Sequence, residues 1–380
     1  MTIIESPLND EHVALGATLV PFAGWSMPLR YSSDLAEHQA VRTAAGLFDL
    51  SHMGELHLDG PGAGAALDYA LVGNLTALAV GRARYTMIVA EDGGIIDDLI
   101  VYRPADESYL VVANAANAAV VADALAERID GFDAVLTDRS RETALIAVQG
   151  PAAAEIVVGL TDPAQADAVR ELKYYASVPA TVGGVDALVA RTGYTGEDGF
   201  ELFVPADRAP GLWRTVLAAG EPHGLVPAGL AARDSLRLEA GMPLYGNELD
   251  RTTAPHDAGL GRVVKLDKVD ADGAPLPFVG RAALASRAHA NPSRVLVGLV
   301  GSGRRAARHG YPVVMSTADD AVTIGQVTSG APSPTLGVPV AMAYVSPEVS
   351  APGTELAVDI RGRREPVRVV ALPFYRRSQS

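Results

Sequence analysis

The chain has 380 residues, 48% hydrophobic and 20% charged, and 45 acidic against 31 basic side chains give a net charge of −14. That balance argues against a whole surface built for nucleic acid, and no apolar run is long enough to span a bilayer. With no cysteine, disulfides, thiol nucleophiles and thiolate-held metal or iron–sulfur centres are excluded.

The length suits two or three domains rather than one core. The opening "MTIIESPLND" lacks the basic start and apolar core of a signal peptide, so the expected location is cytoplasmic. "RYSSDLAEHQAVRTAA" predicts a helix with Ser33 or Asp34 as its cap. "GELHLDG" alternates as a strand, and "PGAGAALDYAL" predicts a helix with Pro61 near its start. Three strands follow, "ARYTMIVA", "GIIDDLIVY" and "SYLVVAN", then a helix in "AANAAVVADALAERI". This alternation predicts a mixed α/β layer with antiparallel neighbours. A second α/β stretch has strands in "TALIAVQG", "ALVARTGYTG" and "GFELFVP" and helices near 151–159, 207–219 and 228–240. From about residue 293 short strands alternate with turns, the pattern of a small all-β barrel or sandwich, and "DKVDADGAPLPFVG" marks the boundary. Arginines gather in "GSGRRAARHG" and "RGRREPVRVVALPFYRR", read as a solvated, strand-rich surface, with a local basic patch as the alternative.

The stretch "GGIIDDLIVY" sets two aspartates, Asp97 and Asp98, inside a β-forming run. Strand side chains alternate, so one of the two must point inward. Ile96, Asp98, Ile100 and Tyr102 share one face, and Ile95, Asp97, Leu99 and Val101 the other. Pairing with "YLVVAN" as a hairpin brings Asp98 close to opposite Asn114. A carboxylate and a carboxamide on a mostly apolar face resemble a small polar site; the plainer alternative is that both aspartates tie up a turn or a helix end. Glu201 falls inside the strand "GFELFVP", and Arg233 and Arg237 share one helical face. Such charges need partners: an internal salt bridge, or a ring with adjacent donors and acceptors.

Other motifs fail. "DGPGAGAA" lacks the third glycine and the ribose-binding acid of a dinucleotide loop; there is no phosphate loop, nucleophile elbow or HExxH, and His52 and His57 are too loosely spaced for a helical metal pair. Trp25 is expected to be a packing aromatic.

The segments "FAGWSMPLRY", "GLFDLSHMGE", "YTMIVAEDGGIIDDLIVY", "RTGYTGEDGFE", "GLAARDSLRLEAGMPLYGNELD", "GLGRVVKLDK", "FVGRAAL" and "GQVTSGAPSPTLGVPVAMAYV", in this order, resemble the aminomethyltransferase (T-protein) family of the glycine cleavage system over nearly the full chain. The resemblance implies an α+β fold, a three-domain cloverleaf around a central folate site. Two interleaved α/β layers would occupy 1–275 and a C-terminal β-barrel 276–380. It implies transfer of a one-carbon unit from the aminomethylated lipoyl arm of H-protein to tetrahydrofolate, with ammonia released and no metal used. Lipoylated H-protein and tetrahydrofolate would be the partners. The family's essential acid matches Asp98, identified with the inward carboxylate, which would orient the folate and stabilise developing positive charge. Folate contacts carry over to Met53, Tyr85, Tyr102, Asn114, Tyr174, Tyr194, Glu201, Arg233 and Met242, with Tyr375 or Arg376 closing the site. Ala90 and Arg262 depart from the residues usual at their positions. Two other readings remain: a folate-dependent demethylase of the same superfamily, and a non-enzymatic folate-binding protein, whose relatives carry a cysteine signature that this chain lacks.

Overall fold

Strands form where β-branched and aromatic residues run together, and helices where apolar residues recur at helical spacing. The computed structural model describes residues 3–270, 272–318 and 320–377. The chain divides into two units, each drawn from separated stretches. The first takes the chain up to Ile88, Asp97–Arg233 and Lys268–Phe278; the second takes Val89–Ile96, Asp234–Asp267 and the chain from Val279 onward. Among the described residues no helix is long and apolar enough to cross a membrane.

The first unit holds two large sheets whose strands are interleaved in sequence, as expected. A six-stranded sheet runs Ser177–Val182, Val185–Ala190, Gly199–Pro205, Thr143–Gln149, Ala45–Asp49, Leu225–Pro227. A five-stranded sheet runs Arg82–Val89, Ile95–Ala105, Ser108–Ala113, Gly54–Asp59, Val135–Asp138. Ala45–Asp49 thus joins one sheet and the next strand, Gly54–Asp59, joins the other. The fully buried Ile146, Val148, Phe200, Leu202 and Trp213 anchor the six-stranded core, with the helices Ala153–Leu160 and Ala209–Gly220 packed into it. Burying side chains of this size contributes roughly 1.5–3 kcal/mol each. The helix Asp34–Thr43 starts as predicted: Ser33 is extended and its hydroxyl accepts from the Ala36 N–H at 3.2 Å. The helix Ala63–Ala70 ends on a buried cation. Lys268 is 2% exposed, and its ammonium donates to the carbonyls of Asp68, Leu71 and Gly73 and lies 4.2 Å from the Phe278 ring centre.

In the second unit, six strands close a barrel in the order Val295–Gly301, Pro339–Val345, Thr323–Pro332, Pro312–Val314, Glu355–Ile360, Arg363–Val370. Alternate residues fill it, among them Val297, Leu299, Val313, Val327, Ala343, Val358 and Val369. The α+β class and the C-terminal barrel agree with the sequence reading. The turn "GG" also belongs to this unit. Gly93 has φ +84°, and a Cβ on Gly94 would sit 2.1 Å from the Arg251 carbonyl oxygen, so each glycine is required for its own reason. Arg237, 1% exposed, makes an internal ion pair with Glu248 at 3.0 Å and donates to the Ser329 hydroxyl at 2.8 Å.

Candidate functional site

The strand Ile95–Ala105 carries two unlike faces. Ile95, Asp97, Leu99 and Val101 are all buried at 1% exposure or less, whereas Asp98 and Ile100 are partly exposed. The inward carboxylate is therefore Asp97 and not Asp98, because the odd face packs into the core of the unit. Ile100 pairs with Val112, a register that carries Asp98 opposite Asn114 as predicted. Asn114 Nδ2 donates to Asp98 Oδ1 at 2.9 Å and to the Asp98 carbonyl at 3.1 Å. Tyr85, on the strand Arg82–Val89, donates its hydroxyl to Asp98 Oδ2 at 2.9 Å. Burial, then the Asp98 charge and this bond, hold the Tyr85 hydroxyl well above the usual tyrosine range, so it stays a donor. Asp97 accepts from the Asn114 N–H and Nδ2, both at 2.9 Å, and from Asn117 Nδ2 at 2.7 Å. Burial and the adjacent Asp98 push its carboxyl up to about 7 despite those donors.

A second carboxylate comes from the other sheet of the same unit. Glu201, 7% exposed on Gly199–Pro205, accepts from Tyr102 at 3.2 Å and from the Thr192 hydroxyl. Both bonds fall on Oε2, and Oε1 takes part in neither. Tyr102 also lies 2.9 Å from Thr192 Oγ1; burial and then Glu201 raise its hydroxyl well above the usual range. Tyr175 has φ +57°, rare for a non-glycine residue. Burial, then Tyr174, Glu201 and Asp98, raise its hydroxyl above the usual tyrosine range. Tyr174, 47% exposed, meets Tyr175 edge to face at 4.8 Å. The Arg233 guanidinium lies over the Tyr194 ring at 4.7 Å. Burial, then the Arg233 charge, lowers the His52 imidazole to about 4, and His52 Nδ1 has no hydrogen-bond partner.

Asp98, Tyr85, Asn114, Tyr102, Glu201 and the tyrosine pair are thus linked by bonds or by mutual charge within the first unit. Tyr194 and Arg233 form a stacked pair there, and Tyr194 also raises Tyr85. Met53 follows His52 in the turn after Ala45–Asp49 and is partly buried. Met242 and Tyr375 belong to the second unit. There they flank one helix end: the Met242 N–H donates to the Arg237 carbonyl at 2.9 Å and the Tyr375 N–H to the Glu239 carbonyl at 2.8 Å. Arg376 is exposed. Trp25 is 7% exposed under the Arg141 guanidinium, a packing aromatic as expected. In the arginine-rich stretches, Arg305 pairs loosely with Glu365 at 3.8 Å, Arg308 reaches the Gly330 carbonyl and Arg361 the Tyr311 hydroxyl, in keeping with a solvated barrel surface.

Sequence reasoning set Asp98 rather than Asp97 inward and did not single out Thr192 or Tyr175. The doubled aspartate was the available signal for Asp97. Nothing in the sequence distinguishes Tyr175 from its neighbour, because a left-handed φ at a tyrosine leaves no compositional mark.

Two family models cover most of the chain: the GCVT N-terminal domain over residues 8–268, and the glycine cleavage T-protein C-terminal barrel domain over 294–376. The chain is 62% identical to an aminomethyltransferase of Streptomyces avermitilis over 98% of this chain and 97% of that one. It is 61% identical, with the same coverage, to an aminomethyltransferase of Streptomyces coelicolor. Among solved structures, the glycine cleavage system aminomethyltransferase T of Bartonella henselae superposes with a TM-score of 0.87 at 36% identity, covering 98% of both chains. On this evidence the chain belongs to the glycine cleavage T-protein family of aminomethyltransferases.

Proposed function

We propose that the chain transfers the one-carbon unit of an aminomethyl group, carried on the lipoyl arm of H-protein, to tetrahydrofolate in the cytoplasm. The products are 5,10-methylenetetrahydrofolate, ammonia and the dihydrolipoyl arm. The observation that carries this reading is the partly exposed Asp98 carboxylate, gripped by the Tyr85 hydroxyl on one oxygen and the Asn114 amide on the other.

The donor set suits a folate. A flat ring with adjacent N–H groups needs buried acceptors, and Glu201 presents a carboxylate whose two identified bonds both fall on one oxygen. Aromatic faces for stacking come from Tyr174, Tyr175 and Tyr194. Tetrahydrofolate supplies the two nitrogens that accept the carbon. Asp98 orients that acceptor and offsets positive charge as the amine departs; its angle is set beforehand by Tyr85 and Asn114, so little reorganisation is needed. Glu201, steadied by Tyr102 and Thr192, grips the pterin, and Arg233 neutralises charge on the same side. Met53 completes the folate contacts of the first unit in this reading.

The direct test is ammonia release from aminomethylated H-protein with and without tetrahydrofolate. Release that needs tetrahydrofolate and matches methylenetetrahydrofolate mole for mole is expected. Folate binding without release, or demethylation of free methylated amines instead, would sink the proposal in favour of a binding protein or a demethylase.

A further inference from the structure

Asp97 has no direct place in the chemistry above, yet it is 0% exposed and collects three donors. A buried acid kept only for stability is ordinarily met by a cation. Here the donors are neutral amides from the end of the neighbouring strand and the start of the next helix, and the charge facing Asp97 is Asp98 on its own strand. Asn117 precedes the helix Ala118–Arg128 but makes no side-chain cap; its amide goes to Asp97 instead.

The decisive geometry is at Asn114. Its Nδ2 meets Asp97 Oδ1, Asp98 Oδ1 and the Asp98 carbonyl. All three are acceptors, so only the NH2 end can face them, and the planar amide turns its oxygen away from both carboxylates. We propose that Asp97 is a positioning residue for the transfer reaction: anchored by Asn117, it fixes the Asn114 carboxamide so that Nδ2 aims the Asp98 carboxylate while Oδ1 offers an acceptor to an N–H of the folate. This rests on the roles given above to Asp98 and Asn114. Ionised Asp97 accepts both amide contacts. Once protonated it loses part of its hold, and with a carboxyl near 7 the loss falls at neutral pH.

The test is a double-mutant cycle with Asp97→Asn and Asn114→Ala, assayed for tetrahydrofolate-dependent ammonia release across pH 5.5–8.5. In Asp97→Asn one of the two acceptor oxygens becomes an NH2, so the side chain can no longer accept from both the Asn114 N–H and its Nδ2, and kcat should fall by up to about a hundredfold, the cost of misplacing a reacting group. The acid limb near pH 7 should disappear with it. In the Asn114→Ala background the same substitution should add little, since Asp97 acts through Asn114. Asn117→Ala, a milder change at the same anchor, should lower kcat in the same direction and serves for the cycle if Asp97→Asn does not fold. Folded variants with wild-type kcat and pH profile, or losses that multiply independently of Asn114, overturn the proposal. Asp98→Asn, measured alongside, separates the two levels. Full activity there removes the underlying reading, whereas inactivity there with a silent Asp97→Asn or Asn117→Ala removes only the role of Asp97.

Discussion

A carboxylate that receives a phenol on one oxygen and an amide on the other is fixed in angle before any substrate arrives, and Asp98 is held in this way. Asp98→Asn keeps the shape and removes the charge. We expect kcat to fall by about two to three orders of magnitude, with an unchanged circular dichroism spectrum. Retained turnover would show that the charge is not needed. Glu201 acts on binding. Glu201→Gln should weaken tetrahydrofolate binding by about 2–5 kcal/mol in calorimetric titration, because one partner of a desolvated polar contact is lost, while kcat at saturation changes less. Wild-type affinity would remove Glu201 from the folate contacts. The Asp98–Asn114 pair was legible because a hairpin converts sequence distance into register. The contact of Tyr102 with Glu201 was not. It crosses from one sheet to the other, and alternation within a strand says nothing about which sheet lies opposite.

At the scale of elements, strands and helices followed local pattern closely, and the barrel strands were readable from their short, even spacing. The role of Lys268 was not readable. Its "VKLDK" context looks like an exposed basic run, but the segment Lys268–Phe278 belongs to the first unit and buries the ammonium on the end of the helix Ala63–Ala70. A contact across some 200 positions of sequence leaves no periodic trace. Lys268→Met keeps the length and the apolar stem but strips the donors from three buried carbonyls. Each stranded acceptor costs about 1–3 kcal/mol, so a loss of several kcal/mol of unfolding free energy is expected in urea titration. A change under about 0.5 kcal/mol would mean that water or local rearrangement satisfies those carbonyls.

At the scale of the whole molecule, the net charge of −14 conceals buried groups that bias stability in opposite directions. Burial, followed by neighbouring acids, raises Asp97 to about 7 and holds Glu55 well above the usual carboxylate range; neither oxygen of Glu55 has a hydrogen-bond partner. Their contribution to stability is full below the unfolded values, about 3.9 and 4.3, and is lost as pH rises through the folded ones. His52 works the other way. Lowered by burial to about 4, it favours the folded state above roughly pH 6.5 and loses that contribution as pH falls. The lowered Asp49 and Asp250 act only below the usual carboxylate range. Between about pH 4.5 and 6.5 the folded chain holds the Asp97 proton that the unfolded chain has released and lacks one imidazole proton that it keeps, so these two contributions oppose each other. The raised Glu55 tips the balance, and stability falls with rising pH on its account. Glu55→Gln, which needs no proton, should flatten that slope and be more stable than the parent at pH 7. Urea unfolding of both proteins at several pH values across this window reads the difference. Parallel slopes, with the variant less stable throughout, would mean that Glu55 is ionised in the folded protein and has found a partner.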